Sequence, residues 1–93
     1  MNSIIQKEKE CLVCRSPWVE LHHVFFGTKD RKVSDKHGFT VWLCNKHHQG
    51  SYSPHKNRAF DLELKEMCQR EFEKTHSRRE FMELIGRNYL DAD

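Results

Sequence analysis

The stretch VWLCNKHH at residues 41–48 decides the fold that this sequence predicts. Two residues separate Cys44 from His47, and the same spacing separates Cys11 from Cys14, with 29 residues between the two pairs. Zn²⁺ takes four thiolate or imidazole ligands in a tetrahedron, and a tight turn of this spacing supplies two of them. Four unrelated side chains are the alternative, but two independent pairs would then share one spacing by chance. We therefore expect a closed structural zinc site.

The length of the chain makes such an ion important for stability. Of its 93 residues, 37% are hydrophobic and 32% are charged. A domain of this size buries only about 60% of the surface that its unfolded chain exposes. We expect one domain over residues 1–93, in which zinc contributes roughly 10–16 kcal/mol of apparent binding free energy. Cys68 has no partner at the zinc spacing and falls in an apolar helical pattern, so a small buried side chain is expected there.

Two strands are predicted around the Cys and His residues. The segments 18–26 and 39–43 are aromatic and β-branched, as is typical of strands. The polar and basic segment 27–38 between them, bounded by glycines, predicts a loop. Turn-forming residues then fill 49–57. Together these segments form a predicted zinc-binding core over residues 11–58.

Two amphipathic helices are predicted after this core, in a helical part over residues 59–90. Ser77 is a plausible N-cap, and Glu80, three residues later, completes a capping box. The apolar side chains recur at helical spacing and are expected to pack as scaffold. They are Phe60, Leu64, Met67 and Phe72 in the first pattern and Phe81, Leu84, Ile85 and Tyr89 in the second. The arrangement is an α+β fold.

Charge is distributed unevenly along the chain. Residues 1–59 carry ten Lys and Arg against five Asp and Glu, a net charge of +5, whereas residues 60–93 carry six against nine, a net charge of −3. The predicted zinc ligands lie in this basic part of the chain, and its positive charge suits a site that faces phosphates. No run of about 18 apolar residues predicts a membrane span, and the charged start does not resemble a secretory signal. We therefore expect a cytoplasmic protein with reduced thiols.

Six further histidines have no role in the predicted zinc site; two of them, His37 and His76, are expected to be surface residues. His22 and His23 are neighbours in a strand and point to opposite faces, so they are unsuited to one metal ion. His48 follows His47 directly, and His55 lies seven residues later. Convergence of His22, His48 and His55 would form a second metal site with open positions, with His23 beside it. Hydrolysis requires such an arrangement.

Four segments, taken in their order along the chain, resemble the HNH nucleases of the ββα-metal fold: CLVC, ELHHVFFG, VWLCNKHH and SPHKN. They are most similar to the small HNH proteins of bacteriophages and prophages. FFGTKDRK, FDLELK and FMELIGRNYL also match that narrower group, so the resemblance covers residues 11–90. It implies a zinc-stabilised ββα-metal core, similar to a treble clef, with C-terminal helices.

The resemblance also assigns roles to individual histidines. His23 matches the general base that takes a proton from the attacking water. His22 and His48 match ligands of a catalytic divalent cation, and His55 resembles an additional ligand found in some branches. The chain departs from the family pattern at the middle Asn, where residues 35–39 read DKHGF, and Asn45 lies inside the zinc turn.

The implied activity is that of an endonuclease that hydrolyses DNA phosphodiester bonds with low sequence specificity. The catalytic cation would be Mg²⁺, Mn²⁺, Ni²⁺ or Zn²⁺, and the products would carry 5′-phosphate and 3′-hydroxyl ends. Phage DNA processing or recombination is the expected setting, with a phage recombination or packaging protein as a partner. Phosphate contacts are expected from Lys29, Arg31, Lys32, Lys36, Lys46, Lys56 and Arg58.

A function of another class stays open at this point. A zinc-stabilised module that binds DNA or protein without cutting would also use the basic segment, and the missing middle Asn favours it. The paired histidines at 22–23 and 47–48 favour the enzyme.

Overall fold

A two-stranded hairpin lies at the centre of the protein. In a computed structural model, which describes residues 3–50 and 53–90, β1 (Val19–His23) pairs antiparallel with β2 (Thr40–Cys44). Val19 lies opposite Cys44 and His23 opposite Thr40. Four helices surround the hairpin within the described residues: α1 (Thr28–His37), α2 (Asn45–Gln49), α3 (Arg58–Phe72) and α4 (Arg78–Ile85). The α+β class is thus confirmed, and both predicted strands form, although β1 ends at His23 and not at residue 26.

The segment between the strands differs from its prediction. Residues 27–38 were expected to form a loop, but Thr28–His37 is the ten-residue helix α1. Most of its side chains are exposed, and Ser34 is its one buried residue. The apolar periodicity that identifies a surface helix is therefore missing. Residues 51 and 52 of the predicted turn at 49–57 lie outside the described residues.

Polar contacts at its C-terminal end hold α1 against the hairpin. The Ser34 hydroxyl donates to the carbonyl oxygen of Phe25 at 2.7 Å and accepts from the amide of Phe25 at 3.1 Å. Gly38 ends the helix in the left-handed conformation, with φ of 74°, and its amide donates to the Ser34 carbonyl. This is a common helix ending, because glycine has no Cβ to oppose a positive φ. These contacts fix the orientation of α1 on the hairpin, and with it the position of the site residues that this helix carries.

The core lies between the hairpin and the last two helices. Phe25, Phe39 and Phe81 are buried and meet with ring centroids 5.3–6.0 Å apart. The apolar residues of both predicted helical patterns pack in or against this core, which confirms their role as scaffold. Cys68 is fully buried, as predicted, and burial raises the pKa of its thiol.

The helix ends follow the predicted capping pattern. Ser77 and Glu80 form the reciprocal capping box at the start of α4, and the side chain of Asn57 caps α3. No helix within residues 3–50 and 53–90 is both long enough and apolar enough to cross a membrane.

Candidate metal centres

The four predicted zinc residues lie together at one end of the hairpin. We call them the Cys/His cluster: their ligand atoms all lie within 4.8 Å of one another, and the residues are Cys11, Cys14, Cys44 and His47. The Sγ atoms of Cys14 and Cys44 are 3.7 Å apart. His47 Nδ1 lies 3.1 Å from Cys44 Sγ and 3.5 Å from Cys11 Sγ. The cluster is compatible with a structural metal ion.

Three local segments build this cluster. The turn after Cys11 closes through the Arg15 amide, which donates to the Cys11 carbonyl at 2.8 Å. The Leu12 amide donates to the carbonyl of Trp42 at 2.9 Å, which ties the turn to β2. Cys44 ends β2, and α2 begins at the next residue and carries His47. Both pairs are thus held by the hairpin end.

The surroundings of Cys11 favour the thiolate form of this residue. Burial opposes ionisation of the Cys11 thiol, but hydrogen bonds from backbone amides outweigh it and lower its pKa to about 6. These amides belong to Cys44, Cys14 and Val13. Because the thiolate is the form that binds a metal ion, Cys11 is already suited to ligation near neutral pH.

A second cluster lies beside the first, with α2 between them. We call it the histidine cluster: the ligand atoms of His22, His48 and His55 lie within 4.8 Å of one another. Their ring centroids are 5.1–5.5 Å apart. The structure thus brings together three residues from β1, α2 and the turn before α3.

His22 is buried in a way that suits a metal ligand. It is 2% exposed, and its Nε2 atom has no hydrogen-bond partner among the described residues. Burial, followed by the nearby charges of the other histidines, lowers the pKa of His22 to about 3. The ring is therefore neutral at physiological pH, with a lone pair available to a cation. An unpartnered buried nitrogen is costly in a folded protein unless something binds it.

Glu20 orients one member of the histidine cluster. Its Oε1 atom lies 2.7 Å from Nδ1 of His48 and also accepts from the side-chain amide of Gln49 at 3.1 Å. Glu20 and His22 are two residues apart in β1, so they share one face of the strand. With Nδ1 donating to the carboxylate, Nε2 of His48 is the nitrogen left for a ligand.

Asp35 makes the corresponding contact with His23. Oδ1 of Asp35 lies 3.1 Å from Nε2 of His23. The His23 side chain is 16% exposed and belongs to neither cluster, whereas Asp35 is about half exposed on α1. A donor hydrogen on Nε2 leaves Nδ1 as the acceptor nitrogen of this ring.

Three cavities lie in a row across this face and share walls. The α1 cavity, of about 530 Å³, is lined by His23, Thr28, Arg31, Lys32 and Asp35. The histidine cavity, of about 200 Å³, includes His22, His23, Phe26, Arg31, His48 and His55. The α3 cavity, of about 270 Å³, is lined by Phe26, Pro54, His55, Lys56, Arg58 and Asp61. His23 and Arg31 join the first two, and Phe26 and His55 join the last two.

The predicted phosphate-binding cations divide between these cavities and other surfaces. Arg31 and Lys32 line the α1 cavity because α1 places them on the same face as Thr28 and Asp35. Lys56 and Arg58 line the α3 cavity. The other three are exposed and line none of the three cavities: Lys29, Lys36 and Lys46.

Sequence reasoning missed Glu20 and Asp35. Each contacts a histidine that is distant along the chain, 28 residues away for Glu20 and 12 for Asp35. The alternation of β1 offered a signal for Glu20, since it shares a strand face with His22. Asp35 lies in the segment that lacks the middle Asn, and the sequence carries no signal for its contact with His23. Asn45 is exposed at the first position of α2.

Comparison with known proteins adds no relative. No family model, no curated protein and no solved structure matches this chain.

Proposed function

We propose that this chain is a metal-dependent DNA endonuclease with a ββα-metal core of the HNH type. The observation that carries the proposal is the histidine cluster, which lies directly beside the His23–Asp35 pair in a cavity open to solvent. A nucleophilic water needs a base and an adjacent cation site, and this arrangement provides residues for both. Cations on both sides of the cavity suit a phosphodiester backbone.

The donor set of the Cys/His cluster supports zinc as the structural ion. Three thiols and one imidazole are ligands that Zn²⁺ prefers. Two sulfurs bound to one Zn²⁺ at about 2.3 Å in a tetrahedron lie about 3.8 Å apart, and the Cys14–Cys44 distance is 3.7 Å. With four protein ligands the site is closed, as in zinc sites that serve structure.

The histidine cluster has a different character. It offers three imidazole nitrogens, so a bound divalent cation would retain open positions for water and a phosphate oxygen. Such a cation, for example Mn²⁺, Ni²⁺, Zn²⁺ or Mg²⁺, would offset negative charge on the phosphate and on the leaving oxygen. The unpartnered Nε2 of His22 and the carboxylate behind His48 support a cation at this place.

The protein's own residues supply the proton transfer. His23 accepts a proton from water through Nδ1, while Asp35 holds the ring through Nε2. The water oxygen attacks phosphorus, the bond to the 3′-oxygen breaks, and that oxygen takes up a proton from solvent. Arg31 lies between the α1 and histidine cavities, where its guanidinium can bind the phosphate during attack. The products carry 5′-phosphate and 3′-hydroxyl ends.

Glu20→Gln is expected to weaken divalent cation binding at the histidine cluster by about 10- to 100-fold. The reason is that a carboxylate bonded to a ligating histidine raises the basicity of the histidine ring and fixes the orientation of that ring. Calorimetric titration with Ni²⁺, on protein whose Cys/His cluster already holds zinc, measures this change. Glu83→Gln is the matched control, because Glu83 is exposed on α4 and pairs with Arg79. Equal affinities of the wild type and Glu20→Gln would contradict the role of Glu20.

Cleavage of DNA by the purified wild-type protein tests the proposed function. Zinc-loaded protein is incubated with supercoiled plasmid or circular single-stranded DNA while Mg²⁺, Mn²⁺, Ni²⁺ or additional Zn²⁺ is titrated in. We expect nicked or linear products that depend on the added cation and disappear with excess chelator.

The alternative function predicts a different outcome of the same assay. A zinc-stabilised module that only binds would retain DNA in a mobility-shift measurement and cut neither substrate with any of the four cations. That result would overturn the endonuclease proposal in favour of a binding module.

A further inference from the structure

Phe26 is more exposed than a core residue and takes no part in the proposed proton transfer, so its exposure and its position need another explanation. Phe25 before it is buried, whereas Phe26 is 47% exposed and forms part of the wall between the histidine cavity and the α3 cavity. Its ring is held in place: Lys65 Nζ lies 4.6 Å from the ring centroid, and the His55 ring centroid is 5.6 Å away. A fixed and half-exposed aromatic ring can stack with another flat ring at little entropic cost.

The chemistry of the α3 cavity favours a base over a phosphate in its interior. Asp61 lines it, and its Oδ2 atom accepts from Lys65 at 2.6 Å. Oδ1 of Asp61 is buried without a hydrogen-bond partner among the described residues. A carboxylate repels phosphate oxygens but accepts from the N–H groups of a nucleobase. Lys56 and Arg58 are exposed on the same cavity, where they suit the flanking phosphate.

The volume of the α3 cavity and the character of the neighbouring cavities agree with a nucleobase as its occupant. At about 270 Å³, the α3 cavity lies just below the range of about 300–1,000 Å³ for sites of drug-sized ligands, so one ring system suits it. The α1 cavity on the other side has Arg31 and Lys32 in its lining and no Phe, Tyr or Trp. The two sides of the histidine cluster therefore differ: both carry cations, but only the α3 side adds the wall formed by Phe26.

We propose that the α3 cavity binds an unpaired nucleobase of the cut strand, stacked on Phe26, so that the preferred substrate is single-stranded or locally unpaired DNA. The inference rests on the proposed function and names its substrate class. Bases inside a continuous duplex stack on each other and do not present a free face, whereas unpaired bases stack on aromatic side chains. Low sequence preference follows, because every base has such a face.

Binding measured without cleavage tests this inference. Zinc-loaded protein, with no second cation added, is titrated against a labelled single-stranded oligonucleotide and against the same strand in a matched duplex. Wild-type protein is expected to bind the single strand more tightly. Phe26→Leu keeps apolar bulk but removes the flat ring, and should weaken single-strand binding by about 5- to 150-fold, which corresponds to about 1–3 kcal/mol of stacking. Duplex binding should stay unchanged.

Two further variants separate stacking from general effects. Phe26→Trp keeps a flat ring and is expected to retain the preference. Trp18→Ala removes another exposed aromatic ring, which lines none of the three cavities, and should change nothing. With 2-aminopurine in the single strand, wild-type protein should quench the fluorescence of the stacked base, and Phe26→Leu should not.

The outcomes distinguish this inference from the proposed function. Single-strand binding by Phe26→Leu equal to that of the wild type, or an equal loss on duplex, would overturn the stacking role of Phe26. Cleavage with no preference for unpaired DNA would overturn the substrate class and leave the endonuclease proposal intact. A preference for the single strand that depends on the Phe26 ring, in a protein that cuts nothing, would support the base site and overturn only the endonuclease.

Discussion

Substitution of Cys14 by Ser is expected to remove the structural ion and to unfold the domain at room temperature. Cys14 is exposed, so the change alters ligation in the Cys/His cluster and hardly affects core packing. Structural Zn²⁺ contributes roughly 10–16 kcal/mol of apparent binding free energy, whereas whole domains are stable by only about 5–15 kcal/mol. Loss of one ligand of four therefore removes a large part of the stability.

Native mass spectrometry and circular dichroism measure this result. Wild-type protein should retain one zinc equivalent against a weak chelator and unfold when a strong chelator removes it. Cys68→Ala is the matched control, because it changes a thiol that is buried in the core and is not part of the cluster. It should retain zinc and lose only a small part of the stability. Full zinc content and an unchanged melting temperature in Cys14→Ser would refute the structural role.

Replacement of His23 by Ala is expected to lower the rate of DNA cleavage by about 10²- to 10⁴-fold, the usual contribution of a general base. Cation affinity at the histidine cluster should stay unchanged, because His23 is not among its ligands. Asp35→Ala keeps the imidazole but removes its hydrogen-bond partner, so the rate should fall by less than in His23→Ala.

Rates of plasmid nicking at saturating cation, together with calorimetric cation titration, measure both quantities. His76→Ala is the matched control, since His76 is exposed and stacks on Phe72, away from the three cavities. Cleavage by His23→Ala at the wild-type rate would exclude this residue as the base. Loss of cation binding together with the rate would instead place His23 in the metal site.

The sequence predicted those features that depend on short spacing. The pairs Cys11–Cys14 and Cys44–His47 each come from one turn, so their proximity follows from local geometry. The amphipathic helices α3 and α4 were predictable because their apolar residues repeat at helical spacing and pack on one core. The capping box of Ser77 is likewise local.

Features that depend on tertiary contacts were not predictable in the same way. Helix α1 has no apolar stripe, and the contact that anchors it joins Ser34 to the backbone of Phe25. Without a helix at 28–37 the sequence gives no reason to place Asp35 beside His23, so this contact was not predictable. Gly38 after the basic residues Lys36 and His37 was the available signal for a helix end.

Helix α2 connects the two clusters, because it contributes one residue to each. Its consecutive residues His47 and His48 belong to different clusters, and successive side chains on a helix point about 100° apart. A metal ion bound by His47 would therefore also restrain the position of His48. We expect metal binding at the Cys/His cluster to restrain the histidine cluster as well, so that the two sites are not independent.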